Sequence, residues 1–385
     1  MNKDEQVNVA IGATSLVQPL TGIGQYTFNL AKKISERPGY NLDLFYGRGW
    51  SKDIEPRTVK NISTIKNIVR KVVPFSYKIN RWGQQNAFDK NIAKFPPSLY
   101  HEPNFLPLKF DGPVVVTVHD LSFIRYPHTH PKERIKMMND WFPAAIERAD
   151  CIIADSHYTK SEILSEFAIE SDKVKVVHLG ASKDFMPRSK ADVHSVLCKY
   201  DLKYRDYMLA VGTLEPRKNL VQVIEAYRAL PLDVAKKTPL IIAGMRGWKE
   251  KGMLAQLEAL LINGRARLLG YVPGEDLPYI YSGARGLLYP SIYEGFGLPV
   301  LEAMSSGTPV ICSNSSSLPE VIGDAGKIVE VGDVDRMAEL IRNLCEDDGE
   351  VLRLSAAGLE RASQFSWDKC ATDTIEAYQY TLRKN

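Results

Sequence analysis

PSIYEGFGLPVLEAMSSGTP, residues 290–309, sets two glutamates, Glu294 and Glu302, around a Gly-Phe-Gly turn that runs into a helix. The preceding RGLLYPS (285–291) is a short apolar run with the pattern of a buried strand. Gly295 and Gly297 let the backbone turn tightly and approach a ligand. Pro299 suits the first helical position, so the amides of Phe296, Gly297 and Leu298 should point outward at the positive end of the helix. An anion fits there. Glu294 before the turn and Glu302 in the first helical turn would flank that anion with hydroxyl acceptors, which suits a polyhydroxylated nucleotide. Taken alone, an E-x7-E pair reads first as a dipole-complementing Glu302 and a solvated Glu294; the surrounding GFGLP reverses that preference toward the ligand.

Working outward, apolar strands alternate with helical patterns along the whole chain. VNVAIGA (7–13), LDLFYG (42–47), VVVTVH (114–119), CIIADS (151–156) and VKVVHLG (174–180) read as buried strands of a first half. YMLAVG (207–212), PLIIAG (239–244), ARLLGY (266–271), GLLYPS (286–291) and PVICSN (309–314) do so in a second. Such alternation specifies α/β architecture, parallel sheets covered by helices. The expected arrangement is two Rossmann-like doubly wound domains facing across a cleft: 1–182, a linker over 183–206 rich in charge and broken by Pro187, and 207–366. Ligands of open α/β sheets bind beyond the carboxyl ends of the strands. Gly22 and Gly24, His119, the segment from Gly212 to Lys218, and Glu294 all fall at such ends.

Glu215-Pro216-Arg217-Lys218-Asn219 follows one of these strands directly. Arg217 can grip phosphate oxygens bidentately and Lys218 adds a point charge. With helix-end amides, the pair could stabilise a departing diphosphate without a metal. No Asp-x-Asp stands at a strand end, so no divalent metal is expected. Thr21-Gly22-Ile23-Gly24 is a third glycine-rich loop; GxGxxG would need glycine at position 27, where Thr27 stands, so it is no dinucleotide fingerprint. For Gly24 a plain turn before a helix explains the residue as well, and a strand-end histidine such as His119 is open to a structural reading too.

The segment 294–304, EGFGLPVLEAM, resembles the signature of the retaining glycosyltransferases of family 4, which have the GT-B fold. The likeness extends through VGTLEPRKNL (211–220), LIIAG (240–244), LLGYV (268–272), SLPEVIGDAG (317–326) and FSWDKCA (365–371). Within the family HDLSFIRYPHTHP (119–131) is most similar to bacterial mannosyltransferases of O-antigen and surface-polysaccharide assembly. The resemblance implies that residues 367–385 form a helix crossing back to the first domain. It places Gly270, Tyr271 and Val272 near the base, Glu302 on the ribose, Arg217 and Lys218 on the diphosphate, and Glu294 with the Phe296 and Gly297 amides on the hexose. It implies that His119 contacts the donor sugar, and that Gly22 and Gly24 approach the phosphates and acceptor. The donor implied is GDP-mannose and the acceptor a saccharide or lipid-linked saccharide, with retention of anomeric configuration and no cofactor beyond the sugar nucleotide. A UDP-sugar transferase of the same fold is the first alternative and a GT-B sugar-nucleotide epimerase the second.

Bulk properties are those of an ordinary globular enzyme. The chain has 385 residues, 44% hydrophobic, and no apolar stretch of membrane-spanning length. MNKDEQ is no secretory signal, and five scattered cysteines without metal-ligand spacing suit a reducing cytoplasm. Between 57 and 94, nine basic residues face a single acid, Asp89, while Ile62, Ile65, Val69 and Val72 recur at helical spacing. This pattern fits either an amphipathic patch on the inner face of an anionic membrane or a helix packed on the core with solvated lysines. Nucleic acid is a poorer fit, since the aromatics follow no stacking pattern.

Overall fold

The computed structural model describes residues 6–17, 22–57, 76–245, 247 and 251–384. Residues 58–75 of the basic stretch at 57–94, with Ile62, Ile65, Val69 and Val72, lie outside them, as does Thr21. The chain forms two units, Met1–Leu179 with Trp367–Asn385, and Gly180–Ser366.

The first unit is built on seven strands: β1 (Val7–Gly12), β2 (Tyr40–Phe45), β3 (Trp50–Ser51), β4 (Leu99–Glu102), β5 (Val114–Val118), β6 (Cys151–Ala154) and β7 (Val174–Val176). They lie in the order β3-β2-β1-β4-β5-β6-β7, parallel except for β3 against β2. Central strands buried on both faces need apolar side chains throughout, which VVVTV and CIIA supply. The direction of strand addition reverses between β1 and β4. β4 is LYHE, fully buried in the middle of the sheet. It tolerates that position because its polar groups find partners. His101 Nε2 meets Thr117 Oγ1 at 2.8 Å and Nδ1 meets the Tyr378 hydroxyl at 2.7 Å. Burial, with the nearby His119, drives the His101 pKa down to about 3, so the ring is neutral.

Tyr378 belongs to the helix Trp367–Lys384, which packs within this unit. Trp367, Cys370, Ala371, Thr374, Ala377, Tyr378 and Thr381 are its buried residues, a stripe at three- and four-residue spacing. Lys33 reaches Asp368 at 3.3 Å and Tyr380 donates to Asp172 at 2.8 Å, fixing the helix on both flanks.

The second unit carries β8 (Met208–Val211), β9 (Leu240–Ala243), β10 (Ala266–Gly270), β11 (Gly286–Tyr289), β12 (Val310–Ser313) and β13 (Lys327–Val329). All are parallel, in the order β10-β9-β8-β11-β12-β13. The reversal here falls between β8 and β11. Residues 183–206 are not a bare linker: they contain the helix Lys190–Lys199 and lie in the second unit. Ser189 starts that helix by accepting from the Asp192 amide, and the Asp192 carboxylate accepts in turn from the Ser189 amide. Val193, Val196 and Leu197 then bury its inner face. Among the described residues no helix is long and apolar enough to cross a membrane.

Candidate active site

In the second unit the strand reversal between β8 and β11 opens the sheet where a ligand can sit. After β8 the chain turns at Gly212, whose φ of 140° disfavours any residue with a side chain. A Cβ on Gly244, beyond β9, would stand 1.8 Å from the Gly212 carbonyl oxygen, so the two strand ends meet backbone to backbone. A short 3-10 turn, Pro216–Lys218, then delivers Arg217 and Lys218 before Asn219 in the left-handed region opens the helix Leu220–Ala229.

These cations meet the end of β11. Arg217 Nη1 donates to the Tyr293 carbonyl at 2.5 Å and to Glu294 Oε2 at 3.2 Å, while Nη2 reaches Glu215 Oε1 at 2.8 Å. Lys218 Nζ donates to Glu294 Oε1 at 2.7 Å and to the Tyr289 hydroxyl at 2.6 Å. Two cations and two carboxylates thus close on each other, nearly buried. Burial works against a charged Glu294, yet the attraction of Lys218 and Arg217 outweighs it and holds the carboxyl at about 2. Burial also lowers the Lys218 pKa, against the pull of Glu294. Both carboxylates are paired with these cations.

The loop bearing Glu294 is fastened by serines after β12. The Glu294 amide donates to Ser316 Oγ at 2.8 Å, and the Ser317 hydroxyl to the Glu294 and Phe296 carbonyls at 3.0 and 2.9 Å. Gly297 takes φ 107°, and a Cβ there would meet a Leu318 methyl at 2.7 Å. The helix that follows is Leu298–Ser305. It begins one residue earlier than expected, so Pro299 is its second residue and Glu302 its fifth, outside the first turn. Glu302 therefore does not complement the dipole. Burial raises its pKa to about 7. The Tyr281 hydroxyl lies close to it without the geometry of a full hydrogen bond. Phe296 is buried, edge-on to Phe365 with ring centres 5.8 Å apart.

Gly270 ends β10 at φ 70° and turns Tyr271 outward, 62% exposed, a free aromatic face. Val272, the next residue, is buried.

In the first unit, Gly22 and Gly24 do not form a loop. Both lie in the first turn of the helix Gly22–Ser35, where the following LAKKIS continues a regular amphipathic pattern. His119 directly follows β5, but both ring nitrogens are engaged: Nδ1 with Asp155 Oδ2 at 2.7 Å and Nε2 with the Pro103 carbonyl at 2.8 Å. Burial disfavours its charge, but Asp155 prevails and raises its pKa. The imidazole is thus fixed within its own unit, and a sugar contact through a free ring nitrogen would require breaking one of these bonds.

The sequence reading named Arg217, Lys218, Glu294 and Gly212, which the structure brings together in one place. It missed Tyr289 and Glu215, which complete the cluster, and Ser316 and Ser317, which hold it. Glu215 was readable as a charge beside Arg217; Tyr289 was hidden inside an apolar run.

Residues 20–185 match the family described as Glycosyltransferase Family 4, and residues 201–361 the family described as Glycosyl transferases group 1. The chain belongs to the family 4 glycosyltransferases, enzymes of the GT-B fold. It is 39% identical to the O-antigen chain mannosyltransferase B of Escherichia coli, over 94% of this chain and 96% of that one. It is 26% identical to the MMP alpha-(1->4)-mannosyltransferase of Mycolicibacterium hassiacum over 94% and 95% of the two chains. Among solved structures, sucrose-phosphate synthase from Thermosynechococcus elongatus superposes with a TM-score of 0.78 at 20% identity, covering 99% of this chain and 100% of that one.

Proposed function

We propose that the enzyme is a retaining α-mannosyltransferase that moves mannose from GDP-mannose to a saccharide or lipid-linked saccharide in bacterial surface-polysaccharide assembly. The observation that carries this reading is the buried cluster of Arg217, Lys218 and Glu294 at the strand reversal of the second unit. Its similarity to the O-antigen mannosyltransferase of E. coli supports mannose. In the free enzyme the cations are neutralised by Glu215 and Glu294; an incoming diphosphate takes over Lys218 and Arg217, and Glu294 then accepts from hexose hydroxyls. Tyr271 stacks on the base and Glu302 accepts from the ribose. The two cations and local peptide dipoles stabilise the departing diphosphate, so catalysis needs no divalent metal. The leaving phosphate accepts the acceptor's proton, and no carboxylate nucleophile is required. Ile79 and Trp82, 64% and 69% exposed on the helix Ser76–Ile92 within the basic stretch, fit peripheral contact with an anionic membrane.

The decisive measurement is a thermal-shift series over GDP, GDP-mannose, UDP and UDP-glucose. Guanine ligands should raise the melting temperature most; at about a hundred times the dissociation constant, binding adds roughly 2.7 kcal/mol. A uracil preference would instead assign a UDP-sugar donor, and donor consumption without acceptor would indicate an epimerase. Lys218→Ala should lower kcat by about 10²–10³-fold with the fold retained. Full activity in chelator is expected; complete dependence on added magnesium or manganese would defeat the metal-free mechanism.

A further inference from the structure

Tyr289 is the last residue of β11, and nearly all of its side chain is buried. Its hydroxyl accepts from Lys218 Nζ at 2.6 Å and donates to Glu294 Oε1 at 3.0 Å, while Lys218 donates to the same oxygen at 2.7 Å. Three polar atoms form a closed triangle whose one neutral corner is the phenol. Burial and the neighbouring Glu294 charge keep that phenol protonated, and hence a donor, at any working pH. An apolar run, Gly-Leu-Leu, leads to this position, and phenylalanine would serve packing equally well. A buried hydroxyl there is accounted for by its two partners.

We propose that Tyr289 is a positioning residue for the donor's sugar: it holds the Glu294 carboxylate in place when the diphosphate draws Lys218 away. The inference rests on the reading that Lys218 serves the phosphates and Glu294 the hexose. As Lys218 turns toward phosphate, Glu294 Oε1 loses a charged donor inside a nearly dry site. A carboxylate left short of donors there reorients. The phenol stands on a strand with two side-chain torsions and keeps that oxygen occupied.

The test is Tyr289→Phe, with affinities for GDP and GDP-mannose measured by calorimetry alongside kcat and melting temperature. GDP carries no hexose, so its affinity should change less than about twofold. GDP-mannose should bind about tenfold more weakly, roughly 1.4 kcal/mol, and kcat should fall. In a Glu294→Gln background the same substitution should add little, because its effect passes through Glu294. Equal weakening of both ligands together with a lower melting temperature would make Tyr289 merely structural and overturn the proposal. Unchanged affinities, or full additivity with Glu294→Gln, would overturn it too. Wild-type protein that binds none of GDP, GDP-mannose, UDP and UDP-glucose would instead sink the underlying reading of the site.

Discussion

Glu294 and Glu302 are the same residue type eight positions apart, and their surroundings push them in opposite directions, to about 2 and about 7. Both are opposed by burial; only Glu294 has cations to overcome it. The consequences for stability have opposite signs. The native state binds the Glu302 proton more tightly than the unfolded chain does, so its contribution declines as pH rises from about 4.5 to about 7. Glu302→Gln should therefore raise the melting temperature at pH 8 by a few degrees and leave it nearly unchanged at pH 4, while weakening nucleotide binding. A parallel pH series of melts on both proteins checks this. For Glu294, stabilisation is complete above about pH 4.5 and disappears toward pH 2. Glu294→Gln leaves two nearly buried cations short of a counter-charge and should cost on the order of 3 kcal/mol at pH 7, read by urea denaturation. That cost should shrink as the wild type is acidified.

At the scale of elements, the ends of β8 and β9 touch through Gly212 and Gly244. Gly244→Ala would press a methyl group into the Gly212 carbonyl, and should cost about 1–3 kcal/mol and displace the turn that carries Lys218. Denaturation midpoints and nucleotide affinity should fall together. Strands such as VVVTV and LIIA were legible because burial on both faces demands continuous apolar residues. β4 was not: LYHE is central and buried, yet its polar side chains are satisfied by each other and by Thr117 and Tyr378, which are remote in sequence. β13 is three residues long and partly exposed, leaving no pattern to read. The helix Lys190–Lys199 did leave a sign, the Ser-x-x-Asp of its capping box, in a segment whose charge and proline suggested a linker. The charged half of the site was visible because charges at strand ends are conspicuous. Tyr289 was not, since an aromatic closing an apolar strand looks like core, and Ser316 and Ser317 act through backbone bonds that spacing does not reveal.

At the scale of the whole molecule, the second unit is continuous in sequence while the first is completed by the helix Trp367–Lys384. Ending the chain at Ser366 would uncover the surface that this helix buries and leave His101 without its Tyr378 partner. The shortened protein should lose the calorimetric transition of the first unit and keep one transition that nucleotide still raises. Loss of both transitions would show that the second unit does not stand alone. The same split connectivity orders events during synthesis. Residues 180–366 leave the ribosome before 367–384 do, so the donor-binding half can fold while the earlier-made half still waits for its last helix. That waiting half exposes apolar surface for the time needed to translate nearly two hundred codons, which makes it the part of the nascent protein most in need of a chaperone.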